Sequence, residues 1–202
     1  MPEYAVPTPK RPRGRPRRGE SDAQERIIAA AVDEFGERGY DGATMRGIAG
    51  RAGVDSALLH HYFGTKADLF AQTVGAPMRP DLDIPALLEG PRDLLGERIV
   101  RYVLEAWERP DTRKRGVTLM RSGIGNRLTT PLLAGFLQRE LIGRIAARID
   151  GPDAAFRATL VASQIAGMLL ARYVLQFPAI ADATVDQIVA RVGPTVQHYL
   201  TD

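Results

Sequence analysis

Apolar side chains recur at every fourth position in the first amphipathic segment of the chain. Three of them share one stripe of a helix over residues 22–38: Ile27, Ala31 and Phe35. Ser21 with Gln24 three residues later has the form of a capping box, which marks a helix start, and Gly39 is a typical helix stop. The pattern therefore predicts an amphipathic helix over residues 22–38.

Three shorter helical patterns follow. The first covers residues 45–52 behind Thr44 and is broken by Gly53, the second begins behind Asp55 and ends near Phe63, and the third starts at about Thr65. Short helices separated by a glycine turn are typical of a helix-turn-helix, in which one helix lies in the major groove of DNA. We predict that the helix behind Asp55 is this recognition helix.

The remainder of the chain has helical periodicity and no strand pattern. Residues 75–91 contain four prolines and are interpreted as a linker with one helical turn. Helical patterns follow at about residues 91–108, 111–124, 131–149, 152–177 and 184–200. Thr184 with Gln187 forms another capping box, and Pro194 is expected to kink the last helix. The predicted fold class is all-α: a basic arm (1–20), a three-helix helix-turn-helix domain (21–74) and a larger helical domain (75–202).

The helix-turn-helix region carries a specific motif. It comprises Ile27, the run Phe35–Gly–Glu–Arg–Gly–Tyr40–Asp41, Thr44, Ile48–Ala49, Ala52–Gly53–Val54, His61–Tyr62–Phe63, Lys66 and Leu69. Residues 24–70 thereby resemble the N-terminal domain of the TetR family of bacterial transcriptional regulators. The resemblance implies that Ile48 and Ala49 pack in the core of the motif. It also implies that Leu59 and Phe63 fix the recognition helix inward and that Lys66 meets a DNA phosphate.

Two positions depart from the family pattern. Asp55 stands where serine is common, and it can cap the recognition helix equally well. His60 stands where tyrosine is common, and it can still donate one hydrogen bond to a phosphate, although from a smaller ring. The candidate DNA-binding residues of the domain are Thr44, Arg46, Ser56, Ala57, Leu58, His60, His61, Tyr62, Thr65 and Lys66.

Positive charge is concentrated in the first 20 residues. Six basic residues (Lys10, Arg11, Arg13, Arg15, Arg17 and Arg18) face two acidic ones there, whereas the whole chain has a net charge of +3. The segment 21–70 has five basic and eight acidic residues, so we expect the arm to supply the attraction to phosphates. With five prolines and no apolar periodicity, the arm is predicted to be disordered when unbound.

The arm contains a short motif suited to the minor groove. Arg13–Gly14–Arg15–Pro16 resembles the core of an AT-hook, whose two arginines enter a narrow A·T minor groove. The candidate DNA contacts of the arm are Arg13, Arg15, Arg17 and Arg18. The alternative interpretation is a solubilising tail, since blocks of like charge are also found on inert segments.

The segment 152–177 predicts an interface between two copies of the chain. It has only three charged residues in 26, so its apolar surface is too wide for a helix that packs on one side. Pairing it with 184–200 and with the same helices of a second chain gives an isologous four-helix interface, which the family resemblance also implies. Two-fold symmetry would place the recognition helices about 34–36 Å apart on a palindromic operator.

The family resemblance further implies a small-molecule effector that displaces the DNA-binding domains. The effector is expected to be largely apolar, and the candidate lining residues are Tyr102, Trp107, Met120, Arg121, Asn126, Phe136, Phe156, Gln164, Met168 and Tyr173. For each of them the alternative is an ordinary core or surface position.

Several classes of protein do not fit the sequence. There is no cysteine, the adjacent His60 and His61 diverge on a helix, and no nucleophile elbow or phosphate loop is present. No enzyme activity, cofactor or metal is therefore predicted. The longest uncharged stretch of the most apolar segment, 158–171, is 14 residues, below the roughly 20 that cross a bilayer. We expect a cytoplasmic, nucleoid-associated protein.

The sequence is interpreted as that of a homodimeric repressor that a small-molecule ligand releases from its operator. Two alternatives to this interpretation stay open. An architectural protein would bind A·T-rich minor grooves through the arm, with no two-fold symmetry in its sites. A ligand-binding helical protein without DNA function would leave the arm and the 24–70 motif unexplained.

Overall fold

The computed structural model describes residues 18–76, 83, 85, 87–123, 126–127 and 129–201. The predictions for arm residues Arg13, Arg15 and Arg17 lie outside the described residues, as do residues 77–82, 84 and 86 of the predicted linker. Residues 18–20 were predicted to belong to the disordered arm, and they are helical instead. Every regular element among the residues described is helical, which confirms the all-α prediction.

The first helix, α1 (Arg18–Gly42), begins earlier than predicted. Ser21 lies inside it and is not its N-cap, because residues 18–20 are already helical. Pro16 disfavours helical backbone only at the residue before it, so the sequence allows this extension. Gly39 breaks the helical backbone with φ 72° and ψ 174°, and a last turn follows across the kink.

The next three helices have the predicted bounds. They are α2 (Met45–Ala52), α3 (Ser56–Phe63) and α4 (Lys66–Val74). Gly53 ends α2 in the left-handed conformation at φ 64°, which a glycine adopts without a steric penalty.

The C-terminal helices follow a short 3₁₀ turn, Arg92–Leu94. They are α5 (Leu95–Glu108), α6 (Pro110–Gly123), α7 (Thr129–Leu137), α8 (Gly143–Ala146), α9 (Ala154–Leu169), α10 (Pro178–Ala181) and α11 (Val185–Thr201). Two π-helical segments extend α7 and α9: Gln138–Ile142 and Leu170–Val174. Thr184 and Gln187 exchange hydrogen bonds of 2.8 and 3.2 Å, which confirms the capping box before α11.

Buried side chains form two clusters. The N-terminal core joins α1 to α4 through residues such as Ile27, Phe35, Ile48, Leu59 and Phe70. The C-terminal core joins α5, α9 and α11 with their neighbours. Phe136 of α7 belongs to the N-terminal core, so α7 docks helices α1–α4 on the rest of the chain.

Helices α5 and α11 cross with almost no side-chain space between them. A Cβ atom on Gly96 would lie 2.5 Å from the Gly193 carbonyl oxygen, and the Gly96 amide donates to Gln197 Oε1 at 2.8 Å. This crossing is a close helix–helix contact within the C-terminal core. Pro194 lies inside α11, and the kink expected there stays a prediction.

Residues Ala154–Val174 form one helical stretch of 21 residues that is long and apolar enough to cross a membrane, although core helices of other proteins pass the same test. This differs from the 14-residue limit inferred from the sequence, because the stretch extends past Arg157 and Arg172. Both side chains are buried and donate to carbonyl oxygens, Arg157 to Tyr199 and Arg172 to Ile180. Only 28% of the apolar window is buried, so the described residues leave much of it uncovered.

Candidate nucleic-acid interface

The recognition helix α3 is fixed by its inward side chains. Leu59 is fully buried and Phe63 nearly so, and both pack in the N-terminal core with Ile48 and Ala49 of α2. This is the packing that the family resemblance implies. A helix held at two positions one turn apart cannot rotate about its axis, so its opposite face has a fixed direction.

The turn before α3 sets where the helix starts. The amide of Val54 donates to the carbonyl of Ala49 at 3.1 Å, which closes the turn after α2. The Asp55 carboxylate accepts a hydrogen bond of 2.6 Å from the Ala57 amide. Asp55 therefore caps α3 in place of the serine that is common in the family.

The outward face of α3 carries the predicted base-reading residues. Ala57, His60 and His61 are exposed, whereas Ser56, Leu58 and Tyr62 are half-buried. Tyr62 also packs on the N-terminal core and is therefore less free to reach DNA. The Nδ1 atom of His60 lies 2.9 Å from the Gly64 carbonyl oxygen, so one ring nitrogen of His60 is engaged at the end of α3. Nε2 is the ring nitrogen left for the predicted phosphate contact.

Two threonines of the candidate set serve as helix caps. Thr44 Oγ1 accepts from the Gly47 amide at 3.0 Å. Thr65 and Asp68 form a reciprocal capping box, with both hydrogen bonds at 3.2 Å. Hydroxyls used in this way position the first turns of α2 and α4, where backbone N–H groups are left for phosphates.

Lys66 is bound within the protein. Its ammonium donates to the carbonyl oxygens of Tyr40 at 2.9 Å and Ala43 at 3.2 Å, and it lies 4.6 Å from the centre of the Tyr40 ring. Two of its three donors thus fix the segment between α1 and α2. The remaining donor is the one left for the phosphate contact that the resemblance implies.

Ion pairs within the domain engage two further arginines. Glu34 is buried and accepts from Arg51 at 2.7 Å and Arg38 at 3.2 Å, and Arg51 also binds Glu37. The hydrogen bond from Arg51 is the main cause that lowers the pKa of Glu37. Within the described ranges, Arg46 is exposed and has no ion-pair partner. Few free cations are therefore left on the helix-turn-helix itself.

Residues outside the predicted site connect the DNA-binding helices to the C-terminal part of the chain. The Phe136 ring stacks on Phe70 at 4.7 Å and meets Tyr40 edge-on at 5.4 Å. Tyr40 OH donates to Glu140 Oε1 at 2.6 Å. Sequence reasoning missed this junction because Tyr40 and Glu140 are 100 positions apart and no local pattern connects them.

The predicted effector residues do not line one cavity. Trp107, Met168 and Tyr173 are buried together in the C-terminal core, with the Trp107 and Tyr173 rings stacked at 5.3 Å. Phe136 lies in the N-terminal core instead, and Phe156 is 65% exposed. The structure therefore does not bring these two side chains together with the other three, because α7 docks on α1 and the outer face of α9 is exposed among the described residues.

The polar and remaining apolar candidates are also dispersed. Arg121 and Asn126 are exposed, and Asn126 accepts from the Thr129 amide at 3.0 Å, ahead of α7. Tyr102 is half-buried, and burial followed by its hydrogen bond to Asp83 raises its pKa. Met120 and Gln164 are half-buried. Arg121 and Asn126 are surface groups in this arrangement, and their contact with an effector stays a prediction.

Two clefts are found along the described part of the chain. The larger, of about 450 Å³, lies between the end of α4 and one face of α6 and is lined by Val74, Gly75, Asp111, Lys114, Arg115, Thr118 and Leu119. The smaller, of about 130 Å³, lies beside Arg92 and Arg157. None of the ten predicted effector residues lines either cleft. The charge of the segment around Lys114 was the signal in the sequence that could have pointed to the larger one.

No group of three or more histidine or acidic side chains that could hold a metal ion occurs among the residues that the structure covers.

Comparisons with known proteins agree with this architecture. The family profile described as "Bacterial regulatory proteins, tetR family" matches residues 27–73, and the profile described as "Tetracyclin repressor-like, C-terminal domain" matches residues 93–200. The crystal structure of a TetR-family regulator from Streptomyces coelicolor A3 is 35% identical. The alignment covers 94% of this chain and 100% of that chain, with a TM-score of 0.56.

Curated relatives match over a shorter region. The HTH-type transcriptional regulator BetI of Agrobacterium fabrum is 40% identical over 74 residues, which are 34% of this chain and 35% of that protein. The HTH-type transcriptional dual regulator CecR of Shigella flexneri is 42% identical over 65 residues, 29% of each chain. The chain thus spans about a third of the length of the curated relatives that it matches.

Proposed function

The chain belongs to the TetR family of bacterial transcriptional regulators, and from this we propose that it is a homodimeric repressor that binds a palindromic operator and is released by a small molecule. The family consists of regulators, not enzymes, and the similar proteins carry regulator names. The observation that carries the proposal is α3, whose buried Leu59 and Phe63 leave Ala57, His60 and His61 exposed on one face.

In this proposal α3 enters the major groove and reads base edges, while surrounding groups contact phosphates. The reading residues are Ser56, Ala57, Leu58, His61 and Tyr62. The phosphate contacts come from Thr44, Arg46, His60, Thr65 and Lys66, from the arm residues Arg13, Arg15 and Arg17, and from Arg18 at the start of α1. Since Arg38, Arg51 and Lys66 are engaged within the domain, the arm supplies most of the free positive charge.

The outer face of α9 supports the homodimer. Phe156, Thr159, Ser163 and Gly167 are exposed at helical spacing on this face, and none of them is charged. Leu175 and Phe177 continue the exposed apolar surface beyond the helix. Burial of exposed apolar surface lowers the free energy of the protein. A second copy of the chain presents the same surface on its own α9 and α11. Isologous pairing then gives the two-fold symmetry that a palindrome requires.

The two buried clusters support the proposed domain division, with a DNA-binding unit over 21–74, preceded by the arm, and an effector and dimerisation unit over 75–202. The observed start of α1 at Arg18 moves the end of the arm to residue 17. We further propose that the protein acts in the cytoplasm on the nucleoid.

The test is selection of bound duplexes from a random DNA pool by the purified full-length protein at about 0.15 M salt, where surface charges are moderately screened. An enriched inverted repeat is the expected result. A·T-rich sites without symmetry would point to an architectural protein that binds through its arm. Absence of any enrichment would contradict the proposed DNA function.

Repression is tested separately with the selected site. Placed across a promoter, that site is expected to lower transcription in the presence of the protein. A rise in transcription would identify an activator.

A further inference from the structure

Helix α6 carries a second concentration of positive charge, separate from the arm. Residues 109–127 contain six basic residues and one acidic residue, Asp111. Arg113 is held by Glu108 at 2.5 Å and by the Trp107 carbonyl at 3.1 Å. Lys114 and Arg115 are exposed and make no ion pair or hydrogen bond to the residues described. Nothing in the DNA-binding proposal uses these two cations.

Both cations line the 450 Å³ cleft. The α6 side of the cleft consists of Asp111, Lys114, Arg115, Thr118 and Leu119, whose spacing places them on one helix face. The opposite side is the end of α4, with Val74 and the left-handed Gly75. The volume lies within the about 300–1,000 Å³ that small-molecule sites occupy.

We propose that this cleft binds a small organic anion, with a carboxylate or phosphate on an apolar chain, and that this anion is the effector. The effector role rests on the proposed function, whereas the existence of the anion-binding site does not. The guanidinium of Arg115 suits a two-oxygen anion and Lys114 adds a point charge. The apolar chain lies against Val74 and Leu119. Asp111 opposes the anion, so its head group sits toward Lys114 and Arg115.

The position of the cleft explains how such a ligand acts on DNA binding. One wall of the cleft is the end of α4, which packs in the N-terminal core with α3. The other wall is α6 of the larger domain. A ligand that fills the cleft changes the spacing between these walls. The two recognition helices of a dimer must keep their separation to fit one DNA face, so a change at α4 lowers operator affinity.

The chain contains its own reporter for this site. Trp107 is the single tryptophan, and its ring touches α6 so closely at Gly116 that a Cβ atom there would overlap it. Gly116 follows Arg115 directly. Binding at the cleft is therefore expected to change the fluorescence of Trp107.

The test titrates full-length protein without DNA with octanoate, octyl phosphate and octanol, which share one chain length. Binding is followed by Trp107 fluorescence and by calorimetry. Both anions are expected to bind at least tenfold more tightly than octanol. Equal affinities for anions and alcohol, or no binding of either anion at millimolar concentration, would overturn the site.

Three variants locate the binding. The double substitution Lys114→Gln and Arg115→Gln is expected to lower anion affinity at least tenfold and to leave octanol unchanged. Arg109→Gln removes an exposed charge directly before the same helix, outside the cleft lining, and is the matched control. Asp111→Asn is expected to strengthen anion binding. Unchanged anion affinity in the double variant, with circular dichroism showing an intact fold, would overturn the site.

The role as effector is measured last, with the duplex obtained by selection. Octanoate is expected to lower the affinity of the wild-type protein for that duplex and to leave the affinity of the double variant unchanged. Because the titration contains no DNA, failure of the duplex selection would not affect it. Anion binding with unchanged DNA affinity would overturn the effector role.

Discussion

The hydroxyl of Tyr40 donates a hydrogen bond of 2.6 Å to Glu140 Oε1, which joins the kinked end of α1 to the π-helical segment after α7. Glu140 also accepts from Arg144 at 2.7 Å. Around this bond, the rings of Phe70 and Phe136 pack against Tyr40. A directional polar contact inside an aromatic cluster thus attaches the DNA-binding helices to the larger domain, and an ion pair at 4.0 Å between Arg139 and Asp41 lies at the same junction.

Tyr40→Phe is expected to keep the aromatic packing and remove this hydrogen bond. The free energy of unfolding should fall by about 1.5–3 kcal/mol, the range for a hydrogen bond to a charged group. Urea unfolding at pH 7 measures it. An unchanged midpoint would show that the bond contributes nothing net.

The same variant has a predicted effect at alkaline pH. Burial, and then the hydrogen bond to Glu140, raise the pKa of Tyr40 above its usual range. The folded protein therefore holds this proton where the unfolded chain releases it, and the resulting stability is present below about pH 10 and lost as the pH rises further. Tyr40→Phe should show a shallower loss of stability between about pH 10 and 11. Equal slopes for the two proteins would contradict this assignment.

Gly116→Ala is expected to destabilise the C-terminal core. The added methyl group would overlap the Trp107 ring, and such overpacking costs about 1–3 kcal/mol. The change should also alter Trp107 fluorescence. Gly36→Ala is the control, because nothing lies within 4 Å of that position, and it should stabilise α1 by up to about 1 kcal/mol.

His61→Ala tests the direction of the recognition helix. His61 is exposed on α3, so operator affinity should fall by about 1–3 kcal/mol, the range for a good base contact, with unchanged circular dichroism. Leu59→Ala should instead destabilise the fold by about 2–5 kcal/mol. Tyr62→Ala should affect both properties, because Tyr62 packs partly on the core. Loss of fold in His61→Ala would show that α3 is rotated differently.

Deleting residues 1–17 tests the arm without shortening α1. The deletion removes Lys10, Arg11, Arg13, Arg15 and Arg17. Affinity should fall for all DNA sequences, and the slope of log affinity against log salt should decrease by about 0.9 for each phosphate that the arm neutralises in the intact protein. Fluorescence anisotropy at several salt concentrations gives this slope. An identical slope for the intact and the shortened protein would show that the arm contributes to solubility and not to DNA binding.

Gly167→Arg tests the interface proposed on α9. Gly167 is exposed, with nothing within 4 Å of its Cβ position, so the protomer accommodates arginine while a second copy would be excluded. Sedimentation equilibrium should show a monomer with weakened operator binding. Gly36→Arg on α1 is the matched control and should stay dimeric. A dimer in both variants would place the interface elsewhere.

The local features of this fold follow from the sequence alone. Helices α2, α3 and α4 begin behind the side-chain caps Thr44, Asp55 and Thr65, and α2 ends at Gly53, which has no side chain. Each cap can be predicted locally because it acts on backbone groups within about four residues. The inward role of Leu59 and Phe63 was likewise implied by the family resemblance. The Ser21 capping box was wrong because a local cap cannot exclude a longer helix when the residues before it also accept helical backbone.

The relationships between distant segments were decided only by tertiary structure. An apolar residue such as Phe136 can pack in either of two cores, and its partner is chosen by how α7 docks on α1. The Tyr40–Glu140 bond and the cleft beside Lys114 likewise join segments that are far apart in the chain. Hydrophobic periodicity predicts that a side chain is buried but does not identify the residues that it packs against. The reason is that the hydrophobic effect depends on buried area and has no direction.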